Sequence, residues 1–247
     1  MALSPAASPL RRDDQAKHDL PARLRGCSLF GAMPPRAAED LVERAAWEVL
    51  LPGQRIRHTP DTRNDLLVVL DGVLKWYVPA LGGRMRLASI ACPGEFVGEE
   101  SLSDVPSRGE YATAATEVVV ARFHHADVAW WLGEHPEVRL LALAILTRSL
   151  RASEAELRVH RSNDVAGRVA LLLVDLFQRA QRSGAACDLV FRELRQDELA
   201  EMIGTTRETF NRVLRSFRTR GLVAKDGGIL TLKQPSALAR RAGLLPT

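Results

Sequence analysis

The chain has 247 residues, 46% hydrophobic and 26% charged, with a net charge of +4; that is room for one large or two modest domains, each able to bury a core. No run approaches the roughly 18 apolar residues of a membrane span, and the opening MALSPAASPLRRDD lacks the apolar stretch of a secretory leader. The cysteines Cys27, Cys92 and Cys187 lie far apart and form no CxxC pair, which argues against a disulfide framework or a thiolate zinc site and for a cytoplasmic protein.

The charge is unevenly spread. Residues 161–247 hold 15 Lys/Arg against 9 Asp/Glu, whereas residues 1–160 hold 19 against 21. A basic C-terminal third beside a slightly acidic remainder is expected where one module meets a polyanion. A solvated basic face would give the same count.

Residues 1–25, rich in Ala, Pro, Arg and Asp, read as a flexible N-terminal arm. Leu41, Val42 and Ala45 share a face and predict a short helix across Pro35–Trp47. Residues 49–123 change character. Strand-like runs appear at Asp65–Leu70, Val73–Val78, Met85–Ile90 and Val118–Phe123, punctuated by Pro52-Gly53, Asp71-Gly72, Gly82-Gly83 and Pro93-Gly94. Short strands with regular glycine turns mean a sandwich or barrel, and Gly82-Gly83 is a hairpin signal.

The period turns helical at Pro136. Leu143, Leu150 and Leu157 recur every seven residues, with Leu146, Ser153 and His160 between them. That heptad seam lies on a helix from Pro136 to Ser162, about 40 Å long at ~1.5 Å per residue. Beside a β module too small to cover it, the helix is expected to pair with a second copy through Leu143, Leu146, Leu150 and Leu157. An intramolecular core helix is the alternative. Asn163 or Asp164 can cap the next helix, Val165–Arg182, whose apolar face is Val169, Leu172, Leu173 and Leu176.

The segment Arg195–Val223 reads RQDELAEMIGTTRETFNRVLRSFRTRGLV. A short helix begins at Gln196 or Asp197 and turns Leu199, Ala200 and Ile203 inward. Gly204 supplies the sharp turn, and Thr205 or Thr206 caps a second helix. Phe210, Val213, Leu214 and Phe217 form its apolar stripe. Arg207, Glu208, Asn211, Arg212 and Arg215 occupy the opposite face. Leu222–Val223 and Ile229–Leu232 flank Asp226-Gly227-Gly228 as a two-stranded wing. Helix, glycine turn, arginine-rich helix and wing together form a winged helix-turn-helix, the reader of double-stranded DNA. Arg pairs two donors with guanine O6 and N7, and a carboxylate accepts from cytosine N4. Five arginines against one glutamate between residues 207 and 220 also favour phosphate contact. A solvent-facing helix explains Arg215, Arg218 and Arg220, but not the joint occurrence of turn, caps and wing.

With these motifs the chain resembles the cyclic-AMP receptor protein/fumarate-nitrate regulator (CRP/FNR) family of transcription regulators. The resemblance runs from about Leu29 to Leu238. It rests on MIGTTRETFNRVL (Met202–Leu214), on NDVAGRVALLL (Asn163–Leu173) and on PGEFVGEESL (Pro93–Leu102). It implies an α+β protein with an N-terminal antiparallel β-roll, similar to the cyclic-nucleotide-binding jelly roll. A long dimerisation helix and a C-terminal winged helix-turn-helix follow. The implied domains are an effector-sensing β-roll over residues 26–134, a dimerisation helix and hinge over 135–163, and a DNA-binding domain over 164–247, with the hinge at Asn163 and Asp164. Thr205, Thr206, Arg207, Glu208, Asn211, Arg212 and Arg215 are the expected DNA-binding residues. Arg207, Glu208 and Arg212 match the base readers of the cyclic-AMP receptor branch, which favours a TGTGA-type half-site. The implied partners are a second copy and RNA polymerase.

For the effector, the resemblance points to Glu99, Arg108, Gly109 and Ser153. In nucleotide-binding members a glutamate contacts the ribose, and an Arg-Ser or Arg-Thr pair holds the phosphate. Here Arg108 is followed by Gly109 and Glu110, so a hydroxyl is lost and a negative charge gained. Both weaken anion binding. Glu154 stands where a second hydroxyl residue would touch the base. Cyclic AMP is one candidate effector. Haem on His124, His125, His135 or Cys92 is another, as is redox sensing at Cys27 or Cys92. An iron–sulfur cluster is disfavoured, because four thiolates cannot be assembled from three cysteines. A constitutive DNA binder with an altered pocket, or an architectural DNA protein, would share the C-terminal module. An enzyme is not expected: no GxSxG, HExxH or P-loop occurs, and Glu99-Glu100, if on a strand, would point to opposite faces.

Overall fold

The computed structural model describes Leu24, Phe30 and residues 33–57, 65–80, 82–102, 109–162, 164–182, 194–226 and 229–244. In chain order the first half holds α1 (Pro35–Val42), β1 (Ala46–Leu50), β2 (Arg55–Arg57), β3 (Leu66–Asp71), β4 (Leu74–Pro79), β5 (Met85–Ala91) and β6 (Phe96–Val97). A 3-10 turn (Glu99–Leu102), β7 (Tyr111–Ala114), β8 (Val118–Phe123) and α2 (His125–Glu134) follow. The second half is α3 (Pro136–Ser162), α4 (Val165–Arg182), α5 (Gln196–Met202), α6 (Arg207–Thr219), β9 (Val223–Asp226), β10 (Ile229–Leu232) and α7 (Pro235–Arg241).

The strands form two antiparallel sheets, ordered β1-β8-β3-β6 and β2-β7-β4-β5, plus the two-stranded β10-β9. Four layers result. The two sheets face each other across Leu50, Leu67, Val69, Leu74, Trp76, Ala112, Val118 and Val120. The outer side of the first sheet carries Leu66, Val68, Leu70, Ala121 and Phe123, covered by α1, α2 and the start of α3 through Leu41, Val128, Trp131, Val138 and Ile145. Residues Leu66–Leu70 are therefore buried at every position, as a strand covered on both faces must be. The outer side of the second sheet carries Val73, Leu87, Ile90 and Cys92, which share one apolar cluster with α4, α5, α6 and α7. The C-terminal domain is thus docked on the β-roll of its own chain.

Some expectations need correction. The first helix ends at Val42, and Trp47 lies in β1, paired with Ala121 of β8. The strand-favouring Trp47 ring, Val49 and pairing with β8 outweigh the helical pattern. Glu99 and Glu100 sit on the 3-10 turn, not a strand. Leu24, inside the segment read as a loose arm, is 1% exposed and packs with Phe30 in the helical layer.

The long helix α3 presents Leu140, Leu143 and Leu150 to solvent, at 74%, 61% and 61% exposure. With Ala144, Thr147 and Arg151 they make one stripe at helical spacing. Leu146 does not join it; its side chain packs on the helical layer of its own β-roll. One face of α3 is therefore covered within the chain, and the other meets none of the described residues. Ser153 is exposed. Leu157 lies on α3 with its side chain outside the described residues, as do Arg108 and Asn163 altogether.

Candidate DNA interface and effector pocket

The DNA-reading unit is built by short-range rules. Leu199, Ala200 and Ile203 anchor α5 in the core. Gly204, at φ +64°, turns the chain in a conformation costly for other residues, and Thr205 N–H closes the turn on Ala200 O at 2.9 Å. Thr206 caps α6, its hydroxyl accepting from Thr209 N–H at 3.2 Å. Thr205 is the linker before the cap. Phe210, Leu214 and Phe217 are buried at 0%, 5% and 2%, which fixes the rotation of α6. Arg207, Glu208, Arg212 and Arg215 consequently point outward, and Asn211 is half-buried among them.

Beside this face lies an open groove of about 560 Å³ between α6 and the wing, lined by Arg215, Arg218, Thr219 and Lys225. The sequence alone places Arg218 on a solvent-facing charged surface and gives no sign of Lys225. The signal for Arg218 was its spacing from Arg215. The position of Lys225 follows only from the pairing of β9 with β10, Leu230 opposite Lys225.

Asp164, one of the two residues expected at the hinge, carries its own fastening. Asp164 caps α4 by accepting from Gly167 N–H at 2.9 Å, and Arg241 of α7 donates to both of its oxygens. The Arg241 hydrogen bond, helped by the Gly167 amide, holds the Asp164 carboxyl below the usual carboxylate range.

The sensory candidates are dispersed. His124 and His135 flank α2, about 16 Å apart at ~1.5 Å per residue. His124 Nδ1 meets Asp65 at 3.2 Å, His135 Nε2 meets Asp40 at 2.9 Å, and His125 Nδ1 meets Ser101 O at 3.3 Å. Cys92 is fully buried under α4; burial first, and the Glu95 carboxylate second, push its thiol up to about 12. A thiol so held is a poor nucleophile. Cys27 and Cys187 lie outside the described residues.

Two regions match known domain families. Residues 47–135 match the cyclic nucleotide-binding domain, and residues 167–241 match the Crp-like helix-turn-helix domain. The nitrogen fixation regulation protein FixK of Rhizobium meliloti is 32% identical over 188 residues, covering 76% of this chain and 82% of that protein. The chain belongs to the CRP/FNR family of transcription regulators. The CRP-like cAMP-activated global transcriptional regulator of Mycobacterium tuberculosis is similar to this CRP/FNR protein at 29% identity over 219 residues, 89% of this chain and 98% of the relative. The solved structure of FixK2 from Bradyrhizobium japonicum shares the fold, with a TM-score of 0.67 and 20% identity over 79% of this chain and 96% of that one. The CRP/FNR regulator described here is a DNA-binding transcription regulator with a cyclic-nucleotide-binding-type β domain. Its family is one of regulators rather than enzymes, and among the described residues no helix is long and apolar enough to cross a membrane.

The β domain of this CRP/FNR protein departs from a phosphate cradle. Gly109 takes φ +96°, a conformation strained for serine or threonine, although a Cβ there would meet nothing within 4 Å. Backbone, not space, keeps a hydroxyl side chain out. Glu110 follows, 9% exposed. Glu99 is half-buried at the start of the 3-10 turn. Gly109 and Glu110 depart from the Arg-Ser or Arg-Thr pattern of nucleotide-binding members, and Arg108 lies outside the described residues.

Proposed function

We propose that this CRP/FNR protein is a homodimer that reads a near-palindromic TGTGA-like site and answers a signal sensed in its β-roll. The observation that carries the reading is the outer face of α6. Arg207, Glu208 and Arg212 stand exposed on a helix whose rotation is fixed by three buried residues. Arg215, Arg218 and Lys225 line the adjoining groove as phosphate partners. Asn211 lies on the base-facing side, and Thr205 and Thr206 lead the helix into the major groove. The exposed stripe of Leu140, Leu143 and Leu150 supports pairing of the α3 helices. Residues 26–134 then act as sensor, 135–163 as dimer helix and hinge around Asn163 and Asp164, and 164–247 as DNA reader. RNA polymerase is the protein partner at the promoter. The signal is one other than a nucleotide phosphate, a reading favoured by Gly109 and Glu110.

The test is a titration into a labelled TGTGA-N6-TCACA duplex and a scrambled control at fixed salt, with and without cyclic AMP. Tighter binding to the palindrome, unaltered by cyclic AMP, is the expected result. Equal affinity for both duplexes overturns the base-reading assignment. A gain in affinity on adding cyclic AMP overturns the effector reading.

A further inference from the structure

The contact between the DNA-binding domain and the β-roll contains a buried ion pair. Along β4 the side chains alternate: Leu74 and Trp76 enter the core between the sheets, while Lys75 and Tyr77 face the C-terminal domain. Lys75 Nζ donates to both oxygens of Glu198, at 3.0 and 2.8 Å, and Tyr77 O–H donates to Glu198 Oε1 at 2.8 Å. The backbone N–H of Arg195 adds a fourth bond at 2.9 Å. Lys75 and Glu198 are 8% and 4% exposed. Glu198 belongs to α5, the first helix of the helix-turn-helix. A second tie lies nearby: Arg179 of α4 donates to Glu95 at 3.3 Å and to Asp175 at 2.8 Å.

Tyr77 also faces the sensory end of the sheet. Its ring stacks on Tyr111 of β7, with centroids 4.9 Å apart and planes inclined by 13°. Tyr111 directly follows Gly109 and Glu110, and Arg55 lies over its other side at 4.8 Å.

We propose that Lys75, Tyr77 and Glu198 form a latch holding the DNA-binding domain on the β-roll, and that the Tyr77–Tyr111 stack connects this latch to the segment at Gly109–Glu110. A change in that segment moves Tyr111, then Tyr77, then the carboxylate it bonds. The docked state leaves the outer face of α6 exposed, so the latch acts on the orientation of the reading helix rather than by covering it. The latch does not depend on which DNA sequence is read.

Cys92 reports on the latch without any DNA. It is fully buried in the cluster shared by the second sheet and α4, so its thiol reacts only when the domains part. In a Cys27→Ser/Cys187→Ser background, the rate of reaction with 4,4′-dithiodipyridine in native buffer measures opening. Lys75→Met is expected to raise the rate about tenfold or more, because it leaves a buried carboxylate without its cation. Tyr77→Phe keeps the ring stack and removes one hydrogen bond; about a fivefold rise is expected. Tyr111→Ala is expected to raise the rate as well. Val128→Ala, a cavity in the helical layer, serves as control and leaves the Cys92 rate near wild type. Circular dichroism checks folding, and if Lys75→Met does not fold, Tyr77→Phe carries the test. Unchanged rates in both latch variants, or an equal rise in the control, overturn the latch. A rise with Tyr77→Phe but none with Tyr111→Ala overturns the connection to the sensory segment.

Discussion

At the scale of single residues, Arg212 and Glu198 show two uses of charge. Arg212 is exposed and free to meet a base edge. Arg212→Ala is expected to lose about 1–3 kcal/mol of discrimination between specific and scrambled duplexes while keeping salt-sensitive binding; competition titrations at two salt concentrations measure both. Glu198 is buried. Burial pushes its carboxyl up, but the bonds from Lys75, the Arg195 amide and Tyr77 outweigh this, so it lies below the usual carboxylate range. A folded-state value lowered in this way contributes stability above the unfolded value, about 4.3 for Glu, which is lost as pH falls through the folded value. The urea midpoint of the wild type should therefore drop more steeply below pH ~4.3 than that of Glu198→Gln. Equal slopes would remove Glu198 from the acid response. Arg212 was legible in the sequence because its neighbours repeat at helical spacing between caps. The partner of Glu198 was not, since Lys75 lies 123 residues away and the alternation Leu74, Lys75, Trp76, Tyr77 reads as a strand with a wet face.

At the scale of elements, the long helices and four of the strands were legible, the helices through their period and the strands as short β-rich runs bounded by glycine turns. The pieces missed were β1, β2, β6, β7, α2, α7 and the 3-10 turn. Arg55–Arg57 and Phe96–Val97 are three and two residues long, too short for any period to show. The helix α2 carries apolar residues around much of its surface, and Trp131 is buried with its indole N–H donating to Ala37 O at 2.7 Å. On α3 the heptad was visible, but sequence alone could not divide its two rows. Leu146 belongs to the core of its own chain, and Leu140 replaces it on the outer stripe. Leu150→Asp places a charge on that stripe without touching the core; monomers by multi-angle light scattering are expected, and an intact dimer would count against the stripe. Thr206→Ala removes the cap of α6 and is expected to cost about 1 kcal/mol in urea unfolding.

At the scale of the whole molecule, the four layers make the two sheets a bridge between a helical cap and the DNA-binding domain. The sequence contained both ends of this bridge. It did not show that the C-terminal domain lies on the β-roll, because the contact is built from residues that each have an adequate local reason to exist. Lys75→Met leaves a buried charge unpaired and is expected to cost about 3–5 kcal/mol, whereas Lys75→Met/Glu198→Gln removes the charge too and costs less than the single change. Urea unfolding of the two single variants and the double variant measures the coupling.

The helix α4 is fastened at both ends, by Arg241 on Asp164 and by Arg179 on Glu95. Fifteen residues separate the two fastenings, about 22 Å at ~1.5 Å per residue. Under the proposed hinge, Asp164 is the pivot and α4 a lever arm. A swing of about 10° at the pivot displaces the far end by ~4 Å, close to the ~3.4 Å between successive nucleotides of one strand. Freeing the far fastening together with the Lys75–Glu198 latch would let one reading helix shift by about a base pair. A Lys75→Met/Arg179→Met protein should accordingly accept spacers of five or seven nucleotides between half-sites nearly as well as six, a loss of metre rather than of vocabulary; an unchanged preference for six in competition titrations would remove the lever.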